Sequence, residues 1–268
     1  PDLLVLPEMA IVPDFQNHGF GGAEGVNGAT VKMAAEIALR FSTNICIPII
    51  EDDNGLLYNT AVYVDRKGRV AGKYRKNVLT NEEFKKGIRP GANSQNVIVL
   101  DGLHIGTVIC FDINFPDLMW NYISQGIDLL IFPSYTYGGN LAGYWAFCCG
   151  VPLICAFPWE STIYDRDGSV LAQGGIHTDT IRFGYHAPWI TCNINLQSCI
   201  YHLDGNQPKL KDVMAKYGSK IDIRLMVQDA RMMITIVSDD LTLNQFEQET
   251  GLIPLQMFLR QSRINQNK

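Results

Sequence analysis

The chain has 268 residues, 47% of them hydrophobic and 18% charged, and 22 Lys and Arg against 27 Asp and Glu leave a formal charge of −5. So core-rich a composition excludes an intrinsically disordered chain, and the mildly acidic balance lacks the basic footprint of a nucleic-acid binder. The length fits one α/β domain or two smaller ones, and one is the simpler expectation.

Asp2 to Leu6 is a short apolar run ended by Pro7, which predicts a buried strand. Termini usually fray, so a buried strand this close to Pro1 is expected at a sheet edge or behind residues that precede Pro1 in the natural protein. From Gly28 to Phe41, Val31, Met33, Ala34, Ile37 and Leu39 fall at helical spacing. Ile45–Ile50 and Tyr58–Val64 read as strands. Two stretches then look alike, Tyr63 to Val70 and Tyr164 to Val170, each with an Asp ahead of a Gly turn. They predict two similar hairpins in one sheet system. A third hairpin is expected from Val97 to Ile109 around Asp101-Gly102.

Pro116 to Gln125 reads as a helix with Pro in its first turn and Gly126 after its end. Strand Ile127–Phe132, helix Leu141–Cys149 and strand Val151–Phe157 follow. Strands alternating with helices, plus the hairpins, indicate a mixed-sheet α/β protein with helices outside. Beyond His202 the chain turns more polar around Lys209–Lys216, with a strand-like Met232–Val237 and a helix near Leu255–Arg260.

Leu129 to Trp159 contains no charged residue. Pro133, Gly138, Gly139, Gly143, Gly150, Pro152 and Pro158 cut it into pieces too short for a bilayer span, which needs roughly 20 apolar residues. Seven cysteines, an odd number without CxxC, argue against a secreted disulfide scaffold. A reducing compartment, the cytoplasm, is expected. His18, His104, His177, His186 and His202 show no metal-ligand spacing, so no metal is expected.

Three segments each put one reactive side chain beside an apolar strand. Leu3–Pro7 delivers Glu8, Gly72-Lys73-Tyr74-Arg75-Lys76 delivers Lys76, and Gly106-Thr107-Val108-Ile109-Cys110-Phe111-Asp112 delivers Cys110. Catalytic groups commonly sit on loops at the ends of rigid strands. Taken singly, each has a plainer reading: a capping carboxylate, a solvated basic face, a core cysteine.

Together, Leu-Pro-Glu, Gly-Lys-Tyr-Arg-Lys and Gly-Thr-Val-Ile-Cys-Phe-Asp, in this order and spacing, resemble the nitrilase superfamily, the carbon–nitrogen hydrolases. Tyr58-Asn59-Thr60-Ala61 and Ile131-Phe132-Pro133-Ser134 resemble it too. The resemblance implies a four-layer α-β-β-α sandwich with mixed sheets over residues 1–200. Residues 201–268 are expected to be a C-terminal extension packing on the body or on a partner subunit.

By that resemblance Glu8, Lys76 and Cys110 form a Glu-Lys-Cys triad. A thiol attacks only as thiolate, so it needs a base or a positive neighbour. Glu8 would move the proton and Lys76 would supply fixed positive charge at the oxyanion, with the Phe111 backbone N–H beside it. No metal or organic cofactor is required. A second glutamate that orients the lysine is expected at Glu83, with Glu82 as the alternative. Asn114, Tyr135 and Tyr137 follow strand ends near the nucleophile and are candidates to line the substrate pocket.

The implied activity is thiol-dependent hydrolysis of a non-peptide linear amide through a Cys thioester, releasing ammonia or an amine. Phe111-Asp112 after the cysteine, where nitrilases of the family have Trp-Glu, favours amides over nitriles. Three departures stand against the family pattern. Val78 occupies a position where many members have His, and Trp145–Cys149 is much less polar than the usual helix there. A strand and helix of roughly 35 to 40 residues usually precede Leu-Pro-Glu. The last two motivate a second reading, a non-catalytic or truncated assembly or binding protein of the same fold. Members commonly pair through the helices next to the nucleophile strand, so Tyr144–Cys149 is expected to be a homo-oligomer surface.

Overall fold

The structure is a computed structural model and describes residues 1–10, 22–92, 97–175 and 189–266. A first sheet runs in the order β1 (Leu3–Val5), β2 (Asn44–Asp53), β3 (Leu56–Val64), β4 (Val70–Arg75). Strand β1 is its edge and pairs parallel to β2, and the other neighbours are antiparallel. Helix α1 (Ala29–Phe41) makes the crossover from β1 to β2.

Side-chain alternation sorts the two faces of this sheet. Ile45, Ile47 and Ile49 of β2 and Val62 and Val64 of β3 pack with Val31, Ala34 and Ala38 of α1. Cys46, Ala61 and Tyr63 point the other way, into a core shared with a second sheet. Strand β2 therefore reads as a continuous apolar run because both of its faces are covered.

The second sheet has the order β10 (Val170–Gly175), β9 (Glu160–Tyr164), β8 (Leu153–Ala156), β7 (Leu129–Pro133), β6 (Leu103–Thr107), β5 (Ile98–Leu100). Its centre, β6-β7-β8, is parallel, and antiparallel hairpins flank it. Ile105, Leu129 and Ile131 face the first sheet. Leu130, Phe132, Leu153 and Cys155 face α3 (Pro116–Gln125) and α4 (Gly139–Cys149). The layers are thus α-β-β-α, as the resemblance implied.

The two look-alike hairpins share one turn. In the first, Asp65 N–H donates to Arg69 O at 2.8 Å and Gly68 N–H returns to Asp65 O at 2.8 Å; in the second, Asp165 N–H and Gly168 N–H repeat this with Ser169 O and Asp165 O at 2.7 and 2.9 Å. Gly68 and Gly168 sit at φ 72° and 80°, the left-handed region where a Cβ is unfavourable. The hairpins do not share a sheet, however: one closes the first sheet and the other the second.

Beyond residue 197 the chain builds a third sheet, β11 (Ser198–His202), β13 (Arg231–Ile236) and β12 (Ile221–Met226), with α5 (Leu210–Tyr217), α6 (Leu243–Thr250) and α7 (Leu255–Gln266). It has its own core of Tyr201, Val213, Tyr217, Met232, Ile234 and Phe246. It also docks on the body: the Gln256 amide bonds both backbone groups of Ile127 at 3.0 and 2.8 Å, and Arg231 lies 3.8 Å over the Phe147 ring. Among the described residues no helix is long and apolar enough to cross a membrane.

Candidate active site

Four strands end at one place on the seam between the two large sheets. Glu8 follows β1, Lys76 follows β4, Cys110 lies just past β6, and Ser134-Tyr135 follows β7. Glu8, Lys76 and Ser134 are at most 2% exposed and Cys110 is 8% exposed. Such burial of charge is tolerated only with complete pairing.

The pairing is dense. Lys76 Nζ donates to Glu8 Oε1 at 3.0 Å and to Glu83 Oε1 and Oε2 at 3.0 and 2.9 Å. Asn59 Nδ2 bridges the same two carboxylates, at 2.7 Å to Glu8 and 2.8 Å to Glu83. Glu8 Oε2 accepts the Tyr135 backbone N–H at 2.9 Å. Burial alone would lower the Lys76 pKa, but the charges of Glu8 and Glu83 outweigh it and hold the ammonium above its ordinary range. Lys76 is therefore a permanent cation and no proton acceptor.

Backbone contacts fix the lysine as firmly as its partners do. Its N–H donates to Asn59 O at 2.8 Å, and its carbonyl accepts Gly91 N–H at 2.7 Å. Only glycine permits this approach, because a Cβ at residue 91 would lie 2.4 Å from Arg75 O. Glu83 sits at the third position of α2 (Asn81–Lys85) in a capping box with Thr80. Its carboxylate accepts Thr80 N–H and Oγ1–H at 2.9 and 3.0 Å as well as Lys76. Glu82, its neighbour, is exposed and pairs with Lys85 at 3.1 Å.

Cys110 opens a single 3₁₀ turn, Cys110–Asn114, with φ at 45°. That region is strained for any residue with a Cβ, and the strain holds the side chain at a sharp strand-to-turn corner. Burial pushes the thiol pKa up and the Glu8 charge adds to this; Lys76, the Tyr135 N–H and the Ser134 hydroxyl pull it back. The net direction is upward, so the resting group is the thiol, next to a carboxylate and an ammonium.

The remaining candidates scatter around this core. The Phe111 ring is exposed and meets Phe115 edge-on at 5.4 Å. Asn114 turns its amide onto Phe111 O at 3.0 Å, so it serves the turn itself. Tyr135 and Tyr137 are partly exposed and belong to an aromatic array with Phe157 and Trp159, ring centres 4.1 to 5.8 Å apart. Sequence reading missed Trp159 and Phe157, whose adjacency to Tyr135 and Tyr137 respectively is purely tertiary. It also passed over Asn59, although the run Tyr58-Asn59-Thr60-Ala61 was in view. Val78 packs into the core beneath α3 and α4. Of the histidines, His104 faces Asp128 at 3.3 Å and His202 stacks on Phe258, while His18, His177 and His186 lie outside the described residues.

The model of the Carbon-nitrogen hydrolase family matches residues 2–184. The chain belongs to the carbon-nitrogen hydrolases. This carbon-nitrogen hydrolase is 34% identical over 142 residues to nitrilase homolog 2 of Dictyostelium discoideum, covering 49% of this chain and 43% of that one. It is 30% identical over 123 residues to an omega-amidase of Homo sapiens, covering 41% and 43%. The chain thus spans less than half the length of these two relatives. Among solved structures, a mutant amidase from Nesterenkonia, with the acetamide moiety of fluoroacetamide covalently added at its active-site cysteine, superposes with a TM-score of 0.56. That match covers 65% of this chain and 73% of the other at 20% identity, which shows a shared fold.

Proposed function

We propose that this carbon-nitrogen hydrolase cleaves a linear, non-peptide amide through a thioester on Cys110. The observation that carries the reading is the buried cluster in which Lys76 Nζ and Asn59 Nδ2 both bond Glu8, at 3.0 and 2.7 Å, with Cys110 buried at the end of the neighbouring strand and open to the charges of Glu8 and Lys76. Glu8 takes the thiol proton as Sγ attacks the amide carbonyl. The C–N bond breaks as Glu8 passes that proton to the departing nitrogen, which leaves as ammonia or an amine. Water then attacks the thioester as Glu8 takes its proton, and the C–S bond breaks as Glu8 returns that proton to sulfur, giving the acid, the free thiol and the Glu8 carboxylate.

Lys76 stays charged throughout and stabilises the oxyanion, with the Phe111 N–H as second donor. Glu83 and Asn59 hold Lys76 and Glu8 in register. Tyr135 and Tyr137 line the mouth. Cys110→Ala is expected to abolish turnover in a screen of simple amides, a loss of about 10⁴-fold or more for removal of a nucleophile. Nitriles are expected to remain unconsumed. Amide turnover unchanged by Cys110→Ala would sink the reading. Of the expected self-association segment Tyr144–Cys149, Trp145, Ala146 and Cys149 are buried in the chain's own core, which leaves the exposed Tyr144 with the half-buried Phe147 and Cys148 to carry it; sedimentation is expected to give a mass above the 29.9 kDa monomer.

A further inference from the structure

The residue two places after the nucleophile is tied to both halves of the site. Asp112 is fully buried and accepts four hydrogen bonds. Its Oδ2 takes Ile109 N–H at 2.9 Å, from the nucleophile turn, and Tyr74 O–H at 2.8 Å, from β4. Its Oδ1 takes Asn77 N–H at 3.2 Å and Val78 N–H at 2.7 Å, the two residues that follow Lys76. Asn77 closes the ring by donating its amide to Tyr74 Oη at 2.8 Å. One carboxylate thus pins the chain before Cys110 to the chain after Lys76, across the seam between the sheets.

We infer that Asp112, as the carboxylate, is a positioning residue that sets the distance between the Lys76 ammonium and the Cys110 sulfur. The inference rests on the amidase reading for its meaning in turnover, but the geometry it describes is testable on the thiol alone. A carboxylate is acceptor-only and can receive all four donors; a carboxylic acid or an amide must present a hydrogen at one oxygen, which loses a backbone N–H there or forces the Tyr74 hydroxyl to reverse its bond. The groups that face Asp112 are Tyr74 of β4, Lys76 after it and Tyr122 of α3, with Cys110 on its own turn. Burial pushes Asp112 up to about 6, against the pull of Ile109 N–H, Val78 N–H, the Tyr74 hydroxyl and the Lys76 charge. As pH falls through that value the carboxylate takes a proton, a backbone tie is lost or the Tyr74 bond reverses, and the lysine loop loosens from the nucleophile turn.

The test is the rate of iodoacetamide alkylation at Cys110 in the full chain, read by peptide mass spectrometry between pH 5 and 8. Asp112→Asn is expected to slow labelling by about tenfold or more, as displacement of a site group does, and to remove the acid limb near pH 6. Tyr74→Phe deletes one donor to the carboxylate, together with the acceptor of the Asn77 amide, and leaves the hydrogen bonds of Glu8 and Lys76 in place. It is expected to move the acid limb upward by about one pH unit, because a donor to the ionised form favours that form. This variant decides the matter if Asp112→Asn does not fold. A limb unmoved in Tyr74→Phe, or intact in a folded Asp112→Asn, overturns the inference. Amide turnover that survives Cys110→Ala would remove the amidase reading and leave this alkylation result standing by itself.

Discussion

Glu83 and Glu82 are adjacent in sequence and opposite in environment, which makes Glu83→Gln and Glu82→Gln a matched pair. Glu83 loses a charge that contacts Lys76 twice, at 3.0 and 2.9 Å, and receives Asn59 at 2.8 Å. Hydrogen bonds to charged groups contribute about 1.5–3 kcal/mol each, and removing one partner of a buried ion pair costs about 3–5 kcal/mol. Glutamine keeps one oxygen for Lys76, and Glu8 still holds the ammonium, so we expect a net loss of about 2–3 kcal/mol. For a chain of this size that lowers Tm by about 5–10 °C. Glu82→Gln removes only an exposed pair and is expected to stay within about 0.5 kcal/mol of the parent.

The pH dependence gives a second reading of the same substitution. Burial would raise the Glu83 pKa, but the Lys76 charge and the Asn59 amide outweigh it and hold the carboxyl below its ordinary range. Its stabilisation is therefore complete above the ordinary value of 4.5 and is lost as pH falls through the lower folded-state value. The gap between parent and Glu83→Gln in urea melts is expected to be constant from pH 6 to 8 and to close below about 4.5. Turnover should fall at least tenfold with KM little changed, since in the proposed mechanism the lysine acts on the oxyanion and not on the bound amide. Equal melts and equal turnover for the two variants would refute the assignment of Glu83 as the residue that holds Lys76.

In intact protein at neutral pH, iodoacetamide should label Cys110 before any core cysteine, and labelling should slow in Lys76→Met, which removes the charge that draws the thiol pKa down. Cys46 and Cys155 are both pushed up to about 12 by burial and should stay unmodified, so early modification at either contradicts the picture. Cys110→Gly should melt higher than Cys110→Ala by about 1 kcal/mol, because φ of 45° strains any residue with a Cβ; equal melts would mean the turn carries no such strain. Gly91→Ala should lower turnover with Cys110 untouched, since the new methyl would displace the Arg75–Lys76 backbone; parent-like kcat would show that this segment yields without cost. Trp159→Ala should raise KM for amides bearing a bulky apolar group more than for small ones, as removal of an aromatic contact surface does. An equal effect on both would take Trp159 out of the pocket.

The fold was legible because its signals are local. Pro116 and Gly126 bracket α3, Asp-Gly turns mark the hairpins, and the apolar runs of β2 and β7 mark strands covered on both faces. Cys110, Lys76 and Glu8 were legible only as members of ordered motifs, since nothing local distinguishes Cys110 from Cys155. Two kinds of information were not in the local sequence. Register between sheets brings Trp159 beside Tyr135, and the polar composition of Lys209–Lys216 concealed a helix whose Val213 and Tyr217 enter a separate core. Glu83 over Glu82 depended on one helical position, which the capping box with Thr80 decides and spacing alone did not.

The placement of the charged groups has a consequence for how the site comes into being. Glu8, Lys76 and Asn59 belong to the first sheet and Cys110 and Tyr135 to the second. Residues 8, 76, 110 and 135 are joined by no local contact, so the constellation exists only once the sandwich has closed. The closing contacts are themselves buried and polar, Tyr63 Oη to Thr107 Oγ1 at 2.7 Å and Tyr74 to Asp112 at 2.8 Å. A half-closed state would leave Glu8 without the Tyr135 N–H and would part Cys110 from Lys76 and Glu8. Closure of the seam and assembly of the site are one cooperative event on this geometry. Loosening the seam at a distance, as in Tyr63→Phe, should therefore cost Cys110 reactivity in step with stability. Reactivity at the parent level in a variant melting several degrees lower would show that the two large sheets hold the site independently of each other.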